Sequence, residues 1–121
     1  MGHGFGGLTA MIYASKDPRI KYVVSYDPWL VPILDEIRNG EFILRQPHCS
    51  VSSEMFMGNE PDNWKELNRL YIQMKGNNKK RDLLALLNGV GHMAFTDLSL
   101  LLLLEFRLIT FTPSFSQVFR G

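Results

Sequence analysis

The sequence predicts an α/β fold in which helices flank the later strands of a mostly parallel sheet. A glycine-rich turn at residues 1–7 runs directly into an apolar segment of helical character. Two apolar runs, at residues 20–26 and 82–87, are typical of strands buried on both faces, as in parallel sheets. Between them, apolar side chains recur at the three- and four-residue steps of a helix.

The composition predicts one domain and excludes several classes of protein. The chain has 121 residues, and 45% of them are hydrophobic, which is enough for a core. The 13 basic and 12 acidic side chains leave a net charge of +1, so no nucleic-acid partner is expected. Cys49 is the single cysteine, which excludes an internal disulfide and a cysteine metal cluster. No signal peptide is visible, and the sequence leaves the compartment open between cytoplasmic and secreted.

The first half of the chain is predicted as helix, strand and turn. A helix at 8–15 ends before Pro18, because proline disfavours helical geometry in the residue before it. The strand at 20–26 puts Asp27 at its carboxyl end, where open α/β sheets hold functional groups. Two elements follow: a turn at 27–32 and a short helix at 34–37.

The second half continues the alternation. The predicted elements are, in order, a strand at 47–53, a loop at 55–59, a helix from Pro61 to a turn at 76–78, a strand at 82–87 and a leucine-rich helix at 98–104. That last helix is interpreted as core, because spanning a bilayer needs about 20 apolar residues. Lys79-Lys80-Arg81 is interpreted as a solvated face. Residues 110–121 show no pattern that assigns them.

The glycine turn at the start supports two chemistries. Gly2-His3-Gly4-Phe5-Gly6 has the glycine spacing of the G-x-S-x-G nucleophile elbow, with Gly4 at the serine position. Gly2, Gly4 and Gly7 also satisfy the G-x-G-x-x-G pattern of dinucleotide-binding folds. The two alternatives make different demands on the rest of the chain.

The dinucleotide alternative requires an acidic residue about 20 positions past the glycines, to hold the ribose of NAD or FAD. Asp27 stands at that distance from Gly7, at the end of a good strand. The bulk of Phe5, beside backbone that a pyrophosphate must approach, weighs against this alternative. It also leaves His92 without a role.

The hydrolase alternative uses all three features. Its chain order is nucleophile, acid and then histidine, and here this order corresponds to Gly4, Asp27 and His92. His92 lies in a glycine-bounded loop after the last predicted strand, where an imidazole can reach back to the elbow. The carboxylate would fix its tautomer through Nδ1. The joint placement of these residues favours a hydrolase.

Four short segments resemble the platelet-activating factor acetylhydrolases, both the plasma-type and the type II intracellular enzymes. Residues 2–7 are similar to their GHSFGG elbow, and Asp27-Pro28-Trp29 is similar to their acid-bearing turn. Ser53-Glu54-Met55-Phe56 resembles their S-E-x-F segment. Residues 91–97 resemble their histidine loop at His92, Phe95 and Asp97. The resemblance covers roughly the first hundred residues.

The resemblance implies a calcium-independent serine esterase with an α/β-hydrolase fold. Such enzymes remove the sn-2 acetyl or a short oxidised acyl group from phospholipids, with a membrane or lipoprotein surface as a possible partner. Asp27 would orient His92, and His92 would act as general base and then acid. The backbone N–H of Phe5 would donate one oxyanion-hole hydrogen bond. No cofactor and no metal are implied.

Two departures from the family pattern limit this expectation. Gly4 has no oxygen to attack an ester, so the chain as written is expected to be inactive. No strand is evident before Gly2, so residues 1–121 are expected to be the carboxyl-terminal portion of one α/β-hydrolase domain whose amino-terminal strands are missing. A non-catalytic lipid-binding or partner module is a further alternative. His3 is expected to pack in the elbow, His48 to lie at a strand edge, and Cys49 to be a small core residue.

Overall fold

The computed structural model describes residues 1–74 and 82–96 in full, and the backbone of residues 75–78 and 114–120. Within these ranges one sheet has the strand order β1-β2-β3-β4-β5. The strands are β1 (Gly2–His3), β2 (Val23–Tyr26), β3 (His48–Ser53), β4 (Leu83–Asn88) and β5 (Ser114–Arg120). The first four pair in parallel, and β5 is antiparallel to β4. The predicted mostly parallel sheet is therefore confirmed.

Four helices accompany the sheet in the described part of the chain. They are α1 (Phe5–Lys16), α2 (Leu34–Arg38), α3 (Glu54–Asn59) and α4 (Pro61–Asn78), with 3₁₀ turns at Val31–Ile33 and His92–Phe95. Helix α1 begins directly after the glycine turn, and α4 begins at Pro61, whose fixed φ suits a first helical turn. No described helix combines the length and apolarity needed to cross a membrane.

The core forms where α1 and α4 bury their apolar faces. Leu8, Met11 and Ala14 of α1 are fully buried, as the helical spacing predicts. From α4, the same apolar cluster receives four side chains: Leu67, Leu70, Tyr71 and Met74. Burying a large apolar side chain contributes about 1.5–3 kcal/mol. This packing holds the strand ends, and the turns that follow them, in place.

Three sequence-based expectations are corrected by the structure. Residues 55–59, predicted as a loop, belong to helix α3, whose N-cap Ser53 accepts a hydrogen bond from the N–H of Phe56. Gly2 and His3, predicted as part of the glycine turn, form the short strand β1: Gly2 pairs with Ser25, and His3 pairs with Tyr26. His48 begins β3 but is fully buried, so it is no edge residue. Strand β1 shows no pattern in the sequence because it has only two residues. The burial of His48 could not be predicted because it depends on neighbours far along the chain.

Other expectations fall wholly or partly outside the described residues. These are the basic run at 79–81, Asp97 and the leucine-rich helix at 98–104. The segment at 110–121 is described only as the backbone of β5. Cys49, predicted as a core residue, is half-buried.

Candidate active site

The glycine turn holds Gly4 in a conformation that other residues adopt only under strain. Gly4 lies between β1 and α1 with φ 55° and ψ −123°, and only glycine enters this region without a steric cost. Gly2 is needed for space, since a Cβ there would stand 2.0 Å from the carbonyl oxygen of Gly6. The Gly4 carbonyl accepts a hydrogen bond from the N–H of Trp29 at 3.1 Å. This bond ties the turn to the segment that follows Asp27.

Asp27 is completely buried directly after β2, and its carboxylate has three hydrogen-bond donors. Oδ1 accepts from the backbone N–H of Ser53 at 2.6 Å, and Oδ2 accepts from the Ser53 hydroxyl at 2.6 Å. Nδ1 of His92 is 3.1 Å from Oδ2. Burial raises the pKa of Asp27, while the bonds from Ser53 and His92 act in the opposite direction. The backbone of Asp27 has φ 42°, a rare conformation for a residue with a side chain.

Asn63, near the start of α4, clamps the turn that carries Asp27. Its Nδ2 donates to the carbonyl of Pro28 at 2.9 Å, and its Oδ1 accepts from the N–H of Leu30. Asn63 is itself buried, so both bonds replace contacts that these groups would otherwise make with water. The helix thereby fixes where the acid turn lies.

The imidazole of His92 is held on both faces. The His3 ring stacks on one face with centroids 4.1 Å apart, and the Phe56 ring stacks at 4.7 Å. Nε2 of His3 donates to the carbonyl of His92 at 2.9 Å. Glu54 stabilises the loop that precedes His92, because its carboxylate accepts a hydrogen bond from the N–H of Gly89 at 2.8 Å. The ring orientation is thus determined by packing as well as by Asp27.

His92 points its second nitrogen at Gly4. A Cβ built on Gly4 would lie 3.0 Å from Nε2 of His92. Because Nδ1 donates to Asp27, the neutral ring carries its lone pair on Nε2. Phe5 is the first residue of α1, so its N–H has no acceptor within the helix and lies at the positive end of the helix dipole. The second ring nitrogen of His92 and a first-turn N–H of α1 therefore flank the same turn.

Three of these side chains also have the spacing of a metal site. His3, Asp27 and His92 each offer a ligand atom, and these atoms lie within 4.8 Å of one another. An ion bound there by Nδ1 and Oδ2 would have to replace the hydrogen bond between His92 and Asp27. His92 and Asp27 are already joined by that hydrogen bond.

An apolar rim of the site consists of exposed side chains that lie at this turn or next in sequence to residues of the site. Phe5 and Trp29 are exposed, with ring centroids 6.4 Å apart. Met55, which precedes Phe56, and Met93, which follows His92, are exposed as well. An apolar rim of this kind is typical of a surface that meets another apolar body.

An α/β-hydrolase is defined by a parallel sheet with an elbow turn, an acid after a later strand and a histidine in a loop further on, and this chain has that arrangement. The chain belongs to the platelet-activating factor acetylhydrolase family: the family model described as "Platelet-activating factor acetylhydrolase, isoform II" matches residues 1–108. The family expected from the sequence is therefore confirmed, as is the partial α/β-hydrolase fold.

Individual relatives agree with the family match. The platelet-activating factor acetylhydrolase of Canis lupus familiaris is 30% identical over 97 residues, which are 80% of this chain and 20% of the relative. Those of Gallus gallus and Cavia porcellus are 28% identical over 97 residues and 27% identical over 92. These matches cover 80% and 76% of this chain, and 21% and 19% of the relatives. The chain thus spans about a fifth of the length of the relatives it matches. No solved structure matches it significantly.

The structure brings together the three residues that the sequence singled out, Gly4, Asp27 and His92. Sequence reasoning gave no role to Ser53 or Asn63, which hold the acid and its turn. A polar residue beside the apolar stripe of α4 is the signal that could have identified Asn63. The Ser53 hydroxyl is buried and hydrogen-bonded to Asp27.

Proposed function

We propose that this chain carries the elbow, acid and histidine of a phospholipid esterase, and that glycine at position 4 prevents it from forming an acyl-enzyme. The substrate class is a phospholipid with an acetyl or short oxidised sn-2 acyl group. The observation that carries the proposal is the geometry of His92, with Nδ1 3.1 Å from Asp27 and Nε2 3.0 Å from the Cβ position of Gly4. Residues 1–121 would be the carboxyl-terminal portion of the catalytic domain.

The proposed chemistry assigns one task to each group. With a serine at position 4, Nε2 of His92 would take the hydroxyl proton as the oxygen attacks the ester carbonyl. Asp27 would stabilise the imidazolium, and the N–H of Phe5 would donate to the oxyanion. His92 would then return the proton to the departing alkoxide. Removing the serine from such a triad lowers turnover by about 10⁶-fold in a protease, so the chain as written is inactive as a serine esterase.

The surroundings of Asp27 favour this proposal over a dinucleotide site. Both carboxylate oxygens are hydrogen-bonded, and the side chain is completely buried. A ribose hydroxyl could reach Asp27 only after Ser53 or His92 had left it. Titration with NAD and FAD tests this directly: we expect no saturable binding, and binding weakened by Asp27→Ala would favour the dinucleotide alternative.

The exposed rim of Phe5, Trp29, Met55 and Met93 supports contact with a membrane or lipoprotein surface. Such side chains gain from leaving water when they enter the acyl boundary of a lipid surface. A lipid-binding module without catalysis would share this rim. Vesicle binding that is unaffected by His92→Ala, in a chain whose Gly4→Ser variant stays unreactive, would favour the module.

The test of the esterase proposal is to restore the hydroxyl. We expect the Gly4→Ser variant to be labelled covalently by a fluorophosphonate, because a positioned imidazole activates the serine oxygen that displaces fluoride. The matched controls are the unaltered chain, Gly4→Ala and the double variant Gly4→Ser/His92→Ala, none of which should be labelled. Mass spectrometry reads the adduct and its position. A folded Gly4→Ser variant without an adduct would refute the proposal.

A further inference from the structure

We propose that the chain with Gly4 hydrolyses short acyl esters slowly by direct attack of water, with His92 as general base and no covalent intermediate. This inference rests on the proposed function, since it uses the same site and the same class of ester. It goes further in assigning an activity to the glycine-bearing site itself. Three features of the site support it in turn.

The first feature is that the base keeps its orientation without a serine. The His92 ring is stacked between His3 and Phe56, and Nδ1 is hydrogen-bonded to Asp27. None of these contacts involves a side chain at position 4. The lone pair on Nε2 therefore remains directed at the elbow. The side chain of His92 is 32% exposed, so solvent reaches it.

The second feature is the space beside Nε2. A carbon at the Cβ position of Gly4 would stand 3.0 Å from Nε2 and 3.2 Å from Cε1, which is tight for a carbon. Glycine removes that carbon together with the hydroxyl that a serine would carry. A water molecule in the volume of this CH₂–OH group would be within hydrogen-bond reach of Nε2.

The third feature is the amide of Phe5, which needs no side chain at position 4. Its N–H belongs to the first turn of α1, in which the N–H groups have no acceptor within the helix. The donor can thus stabilise the negative charge that develops on an ester oxygen whatever nucleophile attacks.

The proposed step balances without any further reactant. The water oxygen bonds to the carbonyl carbon while a water proton passes to Nε2, and the carbonyl electrons move onto the oxygen facing the N–H of Phe5. The tetrahedral species then collapses and the ester C–O bond breaks. His92 returns its proton to the alkoxide that leaves. One water is consumed, and one carboxylic acid and one alcohol are formed.

The test measures hydrolysis of p-nitrophenyl acetate by the unaltered chain, His92→Ala, Gly4→Ala and Gly4→Ser. General-base catalysis contributes about 10²–10⁴-fold, so we expect His92→Ala to lower the rate by about 10²-fold or more. Gly4→Ala should lower it similarly, because a methyl group fills the place of the water. The unaltered chain should show no burst and no acetyl adduct, whereas Gly4→Ser should show both. His48→Gln controls for an imidazole outside the site and should leave the rate unchanged.

The unaltered chain offers a second measurement if the Gly4 variants do not fold. Methanol is the serine side chain as a free molecule, so it should compete with water and yield methyl acetate, and His92→Ala should abolish this product. A rate equal to that of His92→Ala would overturn the inference, as would an activity retained in folded Gly4→Ala. If Gly4→Ser is labelled by fluorophosphonate while the unaltered chain is no faster than His92→Ala, the inference fails and the proposed function stands. If folded Gly4→Ser is not labelled either, both fail.

Discussion

His92 and His48 both make close polar contacts through a ring nitrogen, and their surroundings are opposite. His92 lies on a turn beyond the carboxyl end of β4, partly exposed, with a carboxylate on Nδ1. His48 begins β3 and is completely buried, with Nε2 2.7 Å from the Ser25 hydroxyl. Its Nδ1 has no hydrogen-bond partner among the described residues. Burial lowers the pKa of His48 to about 3.

A serine next to a histidine is not by itself a nucleophile. The Ser25 hydroxyl donates to Ser50 at 3.2 Å, so the contact with His48 is satisfied when Nε2 carries the ring proton and donates. The nearby carboxylate, Asp82, accepts from the backbone N–H of His48 and not from its ring. Ser25 also lies within a strand, away from a strained turn. The Ser25–His48 pair is therefore structural. His92 instead has an ionisable partner in Asp27, is reached by solvent and lies beside the elbow at Gly4.

The largest effect that would sharpen this contrast concerns the two carboxylates. In the Gly4→Ser background, we expect Asp27→Asn to slow fluorophosphonate labelling by about 10³–10⁴-fold, because the amide stabilises the wrong tautomer of His92. Asp82→Asn keeps the acceptor for the N–H of His48 and should leave labelling unchanged. Labelling kinetics measure both variants. Equal rates in both would remove the distinction between the two histidines.

A smaller effect distinguishes Asn63, which holds the turn that carries Asp27, from Tyr71, which contacts the backbone of His48. Asn63→Ala leaves the N–H of Leu30 and the carbonyl of Pro28 buried without partners, so we expect a loss of about 2–4 kcal/mol in the free energy of unfolding. Tyr71→Phe removes one hydroxyl, which lies 3.0 Å from the carbonyl of His48 and 2.9 Å from that of Leu83. Its cost should be about 1–2 kcal/mol.

Urea denaturation measures both costs. In the Gly4→Ser background, Asn63→Ala should also slow labelling, since it loosens the turn that carries Asp27, whereas Tyr71→Phe should not. Unchanged labelling in a folded Asn63→Ala variant would mean that Asn63 supports stability alone.

The last effect is a pH dependence of stability that arises from His48. Its pKa is about 3 in the folded chain against 6.5 for an unperturbed histidine, so between these values the unfolded chain binds the additional proton. Stability should therefore fall as the pH drops below about 6.5, by up to about 1.4 kcal/mol per pH unit. Above that pH, His48 contributes no slope.

Comparison with His48→Gln isolates the contribution of His48 to the pH dependence of stability. Urea midpoints of both proteins are measured from pH 7 to pH 4. The comparison is needed because the raised pKa of Asp27 lets the folded chain retain a proton at low pH, which gives a slope of the opposite sign. Identical slopes in both proteins would show that His48 titrates alike in the folded and unfolded chains.

Much of the fold could be predicted because its signals are local. The helical spacing that buries Leu8 and Met11 and the apolar run of β4 depend on residues a few positions apart. Helix α3 was missed because six residues show too little periodicity. Strand β1 was missed because its two residues become a strand only by pairing with β2.

The sequence by itself determined which groups are present and in what order: a glycine in place of a serine, then an acid, then a histidine. It also determined the family, through short motifs at Gly4, Asp27 and His92. Only the tertiary structure decided that Asp27 and His92 meet at 3.1 Å across 65 positions, and that Ser53 and Asn63 hold Asp27 and its turn in place. The burial of His48 was likewise decided only by the tertiary structure. The reason is physical, since desolvation and hydrogen bonding depend on which atoms are close in space, and the chain order does not contain that information.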